Sequence, residues 1–154
     1  MEALAAGLME SVQDDYLAHR TGQVQMLCGA LDEAGVPVIL PAGGHAVYID
    51  AARFLPHVPP SQFPGQAIVC ELYVDAGIRG VEVGSLMFGK DGEAPRLELV
   101  RLAIPRRVYT NDHLLYVADA VIRLYRRRDQ VCGMRIVSQT PVLRHFTARL
   151  EPIA

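Results

Sequence analysis

The segment LELVRLAI at residues 97–104 has the length and apolar content of a β-strand, and Pro105 closes it. Residues 81–88 predict a second strand, and the loop at 89–95 that separates the two is short and rich in turn-forming residues. Parallel strands need a crossover of about a dozen residues or more. We therefore expect these two strands to pair antiparallel.

Three helices are predicted around this strand pair, at residues 3–34, 61–76 and 110–128, each with apolar residues at helical spacing. Ser61 and Thr110 are the expected N-caps of the second and third helices. Gly35 and Gly77 stand where the first and second helices should end, because glycine readily adopts the left-handed conformation of a helix stop. Gly22 lies inside the first helix and is the candidate position for a break.

Further short strands complete the predicted sheet, at residues 38–40, 46–50, 134–138 and 143–150. The run PAGGH at residues 41–45 predicts a hairpin turn. A phosphate-binding nest is the alternative, but these glycines do not follow a strand and open a helix. The order of elements predicts an α+β fold, a mostly antiparallel sheet with helices packed on one face. We expect one domain over residues 1–154, with a lead-in helix at 3–34 and an α/β sandwich at 36–154.

The composition is that of a globular chain with a large apolar share. The 154 residues include 15 basic and 17 acidic side chains, and this net charge of −2 offers no argument for nucleic acid or an anionic membrane. Hydrophobic residues make up 51%, which excludes a disordered chain and favours a permanent interface. No segment reaches the roughly 18 apolar residues of a membrane span. The separated cysteines Cys28, Cys70 and Cys132 predict core thiols in a reducing cytoplasm.

Arg101 is the most informative residue of the predicted strand. Because side chains alternate between the two faces of a strand, Arg101 shares a face with the apolar Leu99 and Ala103. A guanidinium in such surroundings needs an anion. That anion is either Glu82 or Glu98 in an internal salt bridge, or the carboxylate of a substrate held by two parallel hydrogen bonds. The residues alone favour the salt bridge, since buried charges are usually paired within the protein.

The histidines and the lysine limit the chemistry that the chain can perform. No two of the five histidines stand at the spacing of a helical zinc motif, so we expect no metal site. His145 falls in the predicted last strand beside Phe146, a position typical of a structural histidine. Lys90 is the only lysine, and it falls in a loop. Chemistry that requires a buried catalytic lysine must therefore find that lysine elsewhere.

Several segments together point to a known family: GGHA at 43–46, EVGS at 82–85, RLAIPRR at 101–107 and LRHFTAR at 143–149. The chain resembles the tryptophanase and tyrosine phenol-lyase family of pyridoxal-phosphate β-eliminating lyases over nearly its whole length. The resemblance covers only the C-terminal third of those enzymes. It implies the small C-terminal domain of the aspartate-aminotransferase-like fold, called fold type I. The Schiff-base lysine and the phosphate-binding residues of the family lie upstream, and Lys90 does not match the lysine motif.

The same resemblance implies roles for particular residues. Arg101 matches the arginine that binds the α-carboxylate of the substrate. Val83 matches the position that is arginine in phenol-lyases and aliphatic in tryptophanases. His145 matches the tryptophanase histidine near the indole, where phenol-lyases have phenylalanine. Phe146 lines the same wall or belongs to the core. The expected pocket is therefore tryptophanase-like.

The family likeness implies a two-component enzyme. We expect this chain to complete an active site with a large-domain partner subunit that carries pyridoxal 5′-phosphate on its own lysine. The hetero-oligomer would act in the cytoplasm, independently of membranes and nucleic acid, on an aromatic or S-substituted amino acid to give pyruvate and ammonia. The alternative from another class is a non-catalytic remnant or amino-acid-binding domain that keeps the fold. A fragment of a longer enzyme is the third possibility.

Overall fold

The computed structural model describes residues 1–89 and 93–153, so the loop residue Lys90 lies outside the described part. The helices are α1 (Glu2–Ser11), α2 (Asp14–Glu33), α3 (Ala51–Phe54), α4 (Pro64–Ala76), α5 (Ser85–Phe88), α6 (Asn111–Arg126) and α7 (Arg144–Thr147). The strands are β1 (Ala46–Asp50), β2 (Val81–Val83), β3 (Leu99–Ala103), β4 (Met134–Ser138) and β5 (Arg149–Pro152). None of these helices combines the length and apolarity needed to cross a lipid bilayer.

The strands form two antiparallel sheets. One sheet has the order β1-β3-β2, and the other pairs β4 with β5. The mixed α/β architecture and the antiparallel pairing are as predicted, but the predicted single sheet is divided in two. The predicted strand at 38–40 is reduced to one antiparallel bridge between Val38 and Ile49, so the turn at 41–45 closes only a partial hairpin.

The core lies on one face of the three-stranded sheet. Val100 and Leu102 of β3 are buried on this face, and the cross-strand neighbours Val47 and Ile49 join them. The same apolar cluster takes in buried residues of three helices: Leu27 and Leu31 of α2, Ile68 and Leu72 of α4, and Val121 and Leu124 of α6. The opposite face of β3, which carries Arg101, is more accessible.

The first predicted helix is two helices, and the break is not at Gly22. The chain leaves the helix at Val12 and Gln13, where Gln13 has an extended backbone. Contacts on both sides of Gly22 keep α2 continuous, because the Arg20 guanidinium donates to the carbonyl of Ile104 and Gln23 Nε2 donates to that of Tyr109 at 2.9 Å. Helix α2 ends as predicted at Gly35, which has a φ of 77°.

Two further predicted helix boundaries are confirmed and one N-cap is wrong. Gly77 ends α4 with a φ of 67°, and Thr110 caps α6 in a capping box with His113. Ser61, the predicted cap of α4, lies instead in a short 3-10 turn, and α4 begins at Pro64. Proline is suited to the first helical position because its missing N–H would have no partner there.

The predicted strand at 81–88 ends at Val83, and residues 85–88 form α5. Buried carboxylates explain the change of conformation: Glu82 accepts hydrogen bonds from the backbone N–H groups of Leu86 and Met87 at 3.0 and 3.1 Å. Glu98 accepts one from the N–H of Ser85 at 3.1 Å. These acceptors satisfy the free N–H groups of a helix start, which a strand would not present in this way.

The predicted strand at 143–150 is also wrong in its first half. Residues 144–147 form α7, and only Arg149–Pro152 is extended. The Arg144 guanidinium donates to the carbonyls of Ser85, Leu86 and Gly89 at 2.6 to 3.0 Å, which anchors α7 to α5. His145 therefore lies on a helix and not in a strand.

Candidate functional site

The outer face of the three-stranded sheet carries Arg101. In the strand register, Arg101 is opposite Tyr48 of β1 and Val81 of β2, so these side chains share one face. Val83 is opposite Leu99 on the same face, one pleat along from Arg101. The structure thus brings together two of the residues singled out from the sequence, Arg101 and Val83.

The internal salt bridge favoured by the residues alone is absent. Glu82 and Glu98 bond to the start of α5, and no ion pair within residues 1–89 and 93–153 includes Arg101. The Nε of Arg101 is buried and has no hydrogen-bond partner among those residues. A buried donor without an acceptor costs about 1 to 3 kcal/mol. Few buried donors in folded proteins lack an acceptor, so Arg101 is a candidate for binding a ligand.

His145 and Phe146 lie on α7, at the edge of β2. The two rings meet edge to face with their centroids 5.2 Å apart. The Phe146 side chain is 80% exposed, so a core role for it is wrong. The His145 side chain is only 19% exposed, and its Nδ1 is buried 3.7 Å from Oε2 of Glu82.

A groove of about 640 Å³ runs along β2 between α4 and α7. His145, Phe146 and Tyr73 line it together with Arg79 and Val81. Val81 is also the cross-strand neighbour of Arg101, so β2 separates the groove from the outer-face arginine by the width of one strand. The predicted site residues therefore form two groups that both adjoin β2. Arg101 and Val83 lie on the outer face of the sheet, and His145 and Phe146 lie along the groove.

Glu82 is a site residue whose part the sequence analysis missed, since it was considered only as a salt-bridge partner of Arg101. Its side chain is fully buried, and burial raises its pKa to about 7, with a further upward contribution from the neighbouring Glu98. Burial lowers the pKa of His145. Gly84, which stands between the two carboxyl groups, is the available sequence signal: a Cβ there would collide with Glu98 and lie 2.8 Å from Oε1 of Glu82.

The described residues offer neither a metal site nor an amine for a cofactor. No group of three or more His, Cys, Asp or Glu side chains in the described ranges is placed to hold a metal ion. Lys90, the only lysine, is outside those ranges. The free donors of Arg101 suit a carboxylate, and they do not supply the lysine that pyridoxal phosphate needs for its covalent attachment.

Comparison with known proteins places this sequence in a family. Residues 7–120 match the family model described as beta-eliminating lyase. The chain belongs to the β-eliminating lyase family. This match confirms the resemblance drawn from the GGHA, RLAIPRR and LRHFTAR segments. Members of this family are lyases that depend on pyridoxal phosphate.

The relatives carry two different activities in their names. The chain is 52% identical to a tyrosine phenol-lyase of Symbiobacterium sp. and 52% identical to a tryptophanase of Salinibacter ruber. It is 49% identical to a tyrosine phenol-lyase of Intrasporangium calvum. Each alignment covers 100% of this chain but only 33 to 35% of the relative. The chain therefore spans about a third of the length of the curated relatives that it matches.

Proposed function

We propose that this chain is the C-terminal, small-domain component of a pyridoxal-phosphate-dependent β-eliminating lyase with a tryptophanase-like pocket. A partner polypeptide would carry the cofactor lysine and complete the active site. The observation that carries the proposal is the guanidinium of Arg101, which stands on an accessible sheet face with a buried Nε that no described residue satisfies. The chain spans only about a third of the length of these relatives, and the proposal assigns the cofactor region to the partner polypeptide.

Arg101 would bind the α-carboxylate of the amino-acid substrate. A guanidinium donates two parallel hydrogen bonds to a carboxylate, which holds it in one orientation as well as one place. Strand β3 supports this geometry because β1 and β2 pair with it on both sides. Orientation of the substrate by such a clamp lowers a reaction barrier by several kcal/mol, since the entropy of positioning is removed beforehand.

The side chain of the substrate would lie toward Val83, His145 and Phe146. Val83 offers an apolar surface where an arginine would favour a phenolate oxygen, so an aromatic or S-substituted side chain fits better. His145 offers a hydrogen bond to the departing group. Pyridoxal phosphate, when the partner polypeptide holds it, supplies the electron sink for removal of the Cα proton and release of pyruvate and ammonia.

Helix α1 is a suitable contact surface for the partner. Its side chains are not buried in this chain, and Leu4, Leu8 and Met9 are each at least 60% exposed. Exposed apolar side chains that adjoin on one helix favour a protein interface there. We accordingly propose a hetero-oligomer, and we place it in the cytoplasm because Cys28, Cys70 and Cys132 are unpaired thiols.

Reconstitution tests this function. The chain is co-expressed with a polypeptide that carries the cofactor domain of a β-eliminating lyase, and the purified mixture is assayed for complex size, bound cofactor and pyruvate. We expect a complex that forms pyruvate from an aromatic or S-substituted amino acid. Arg101→Met should lower kcat/KM by about 100-fold or more, the loss expected when a charged hydrogen bond to the substrate is removed.

Arg149→Met is the matched control, because Arg149 is an exposed arginine on the separate β4–β5 sheet. It should leave kcat/KM unchanged. No complex, no bound cofactor, or equal activity of the two variants would contradict the proposal.

The alternative, an amino-acid-binding domain without catalysis, is favoured by the fact that Arg101 lies on an accessible face in this chain alone. Titration calorimetry of the isolated chain with aromatic amino acids separates the two functions. Binding without any partner that disappears in Arg101→Met would support the binding domain, and binding only in the reconstituted complex would support the enzyme.

A further inference from the structure

We propose that Glu82 is a positioning residue for His145, and that these two side chains take up one added proton as a single unit. That proton decides whether the groove-facing Nε2 of His145 donates or accepts a hydrogen bond. The effect of this change between donor and acceptor on a bound substrate rests on the proposed function. The pairing itself is a property of this chain and is testable without a partner or a cofactor.

The first argument is geometric. Nδ1 of His145 is buried and has no hydrogen-bond partner within the described residues, and Oε2 of Glu82 lies 3.7 Å away. Since Nδ1 is the buried ring nitrogen and the side chain lines the groove, the other nitrogen, Nε2, is the one that a ligand can reach. A contraction of less than 1 Å would turn the Nδ1–Oε2 approach into a hydrogen bond and remove an unsatisfied buried group.

The second argument is that Glu82 is held in place independently of His145. Its two carboxylate oxygens accept the N–H groups of Leu86 and Met87, which fixes the carboxyl group at the start of α5. Gly84 has no side chain and so permits Glu98 to approach from the other side. His145 is thus presented with an acceptor whose position the backbone determines, which is what a positioning residue requires.

The third argument concerns the charges around the pair. Glu98 faces Glu82 across Gly84, and its charge disfavours ionisation of Glu82. Arg144 of α7 acts in the opposite sense, but its guanidinium is committed to three backbone carbonyls and remains a fixed charge. Burial raises the pKa of Glu82 to about 7 and lowers the pKa of His145, so burial disfavours the charged form of both groups.

The other polar groups near the pair lie along the groove. Arg79 follows α4, and Cys70 and Tyr73 belong to it. Gln66 also lines the groove, but its Nε2 donates to the sulfur of Cys70 at 3.3 Å. Within the described residues, Glu82 is therefore the acidic side chain that lies against the imidazole.

A count of protons shows why the pair acts as one unit. With Glu82 ionised and the imidazole neutral, Nδ1–H donates to Oε2, and Nε2 presents a lone pair to the groove. One proton added to this pair can bind at either of two positions, Nε2 of His145 or the carboxylate of Glu82. On Nε2 it gives an imidazolium beside a carboxylate, and on Glu82 it makes an O–H that donates to Nδ1 and moves the ring hydrogen to Nε2. Either way Nε2 becomes a donor, so a single protonation reverses what the groove offers.

The test is a titration of the full 154-residue chain by nuclear magnetic resonance. The ring ¹⁵N shifts of His145 and the side-chain carboxyl ¹³C shift of Glu82 are followed from about pH 5 to 9, which spans the range where histidine changes charge. His145→Phe and Glu82→Gln identify the two signals by their loss. We expect the two nuclei to share their titration midpoints, and the ring shifts to report an Nδ1–H tautomer at the alkaline end.

The variants make the test quantitative. Glu82→Gln should lower the imidazole midpoint by about one pH unit or more and change the tautomer, whereas His145→Phe should raise the Glu82 midpoint by a similar amount. Glu71→Gln is the matched control, because Glu71 is a surface carboxylate paired with Arg127, and it should leave His145 unaffected.

Independent titration of the two groups in the unmodified chain, or a His145 midpoint that Glu82→Gln leaves in place, overturns the proposal. If Glu82→Gln does not fold, the unmodified chain and His145→Phe still decide the result. Failure of the proposed function would appear in the pyruvate assay of the reconstituted complex and would leave these shifts unchanged.

Discussion

Arg101 and Glu82 lie on neighbouring strands of one sheet, and their charged groups differ in whether the protein supplies hydrogen-bond partners. Glu82 faces inward, and the start of α5 supplies two N–H donors to its carboxylate. Arg101 faces outward, and its buried Nε receives no acceptor from the described residues. Because an unsatisfied buried group lowers stability, the contrast separates a carboxyl group that the fold satisfies from a guanidinium that the described residues leave unsatisfied.

The largest expected difference between the two faces is in packing. Leu102 is buried on the inner face of β3, whereas Leu99 on the outer face is only half-buried. Leu102→Ala should lower the free energy of unfolding by roughly 3 to 4 kcal/mol, because it removes methylene groups and leaves a cavity. Leu99→Ala should cost about 1 kcal/mol. Urea denaturation of both variants measures this, and equal losses would show that the core does not lie on one face.

The second prediction uses the pH dependence of the inner charge. The pKa of Glu82 is raised from 4.5 to about 7, so between these values the folded chain binds a proton that the unfolded chain has lost. The contribution of Glu82 to the free energy of unfolding is fully present below about pH 4.5. It is lost as the pH rises through 7, and the loss is on the order of 3 kcal/mol. His145 has the opposite effect on stability. Because its pKa is lowered, its contribution is present above about pH 6.5 and is lost as the pH falls below that value.

Glu82→Gln should flatten the loss of stability above pH 4.5, measured as the urea midpoint over a pH series. Glu151→Gln changes an exposed carboxylate paired with Arg135 and is the matched control, so it should keep the slope of the unmodified chain. An unchanged slope in Glu82→Gln would show that Glu82 is ionised at all these pH values.

The smallest expected effect is on the outer face and has the opposite sign. Arg101→Met should raise the free energy of unfolding by about 1 kcal/mol, because it removes an unsatisfied donor and leaves an apolar stem of similar shape. Arg20→Met should lower it by about 1 kcal/mol, since the Arg20 guanidinium donates to the carbonyl of Ile104. Thermal unfolding of the two variants checks the pair, and destabilisation by Arg101→Met would mean that the fold itself uses this guanidinium.

Local signals in the sequence predicted those parts of the fold that depend on local chemistry. Gly35 and Gly77 end their helices with positive φ angles, and Thr110 begins α6, because caps involve residues within one turn. The ends of β2 and the conformation at 144–147 were not predictable in this way. They depend on Glu98 and Arg144, which bond to α5 from distant points of the chain.

The family and the face of β3 on which Arg101 lies follow from the residues alone, since family-specific motifs and the two-residue alternation of a strand need no knowledge of distant contacts. Tertiary contacts, in contrast, set the direction of Glu82 away from Arg101 and bring His145 to Glu82 on a helix. A buried charged side chain is stable only where hydrogen-bond donors satisfy it. Those donors come together only when α5 and α7 pack against each other.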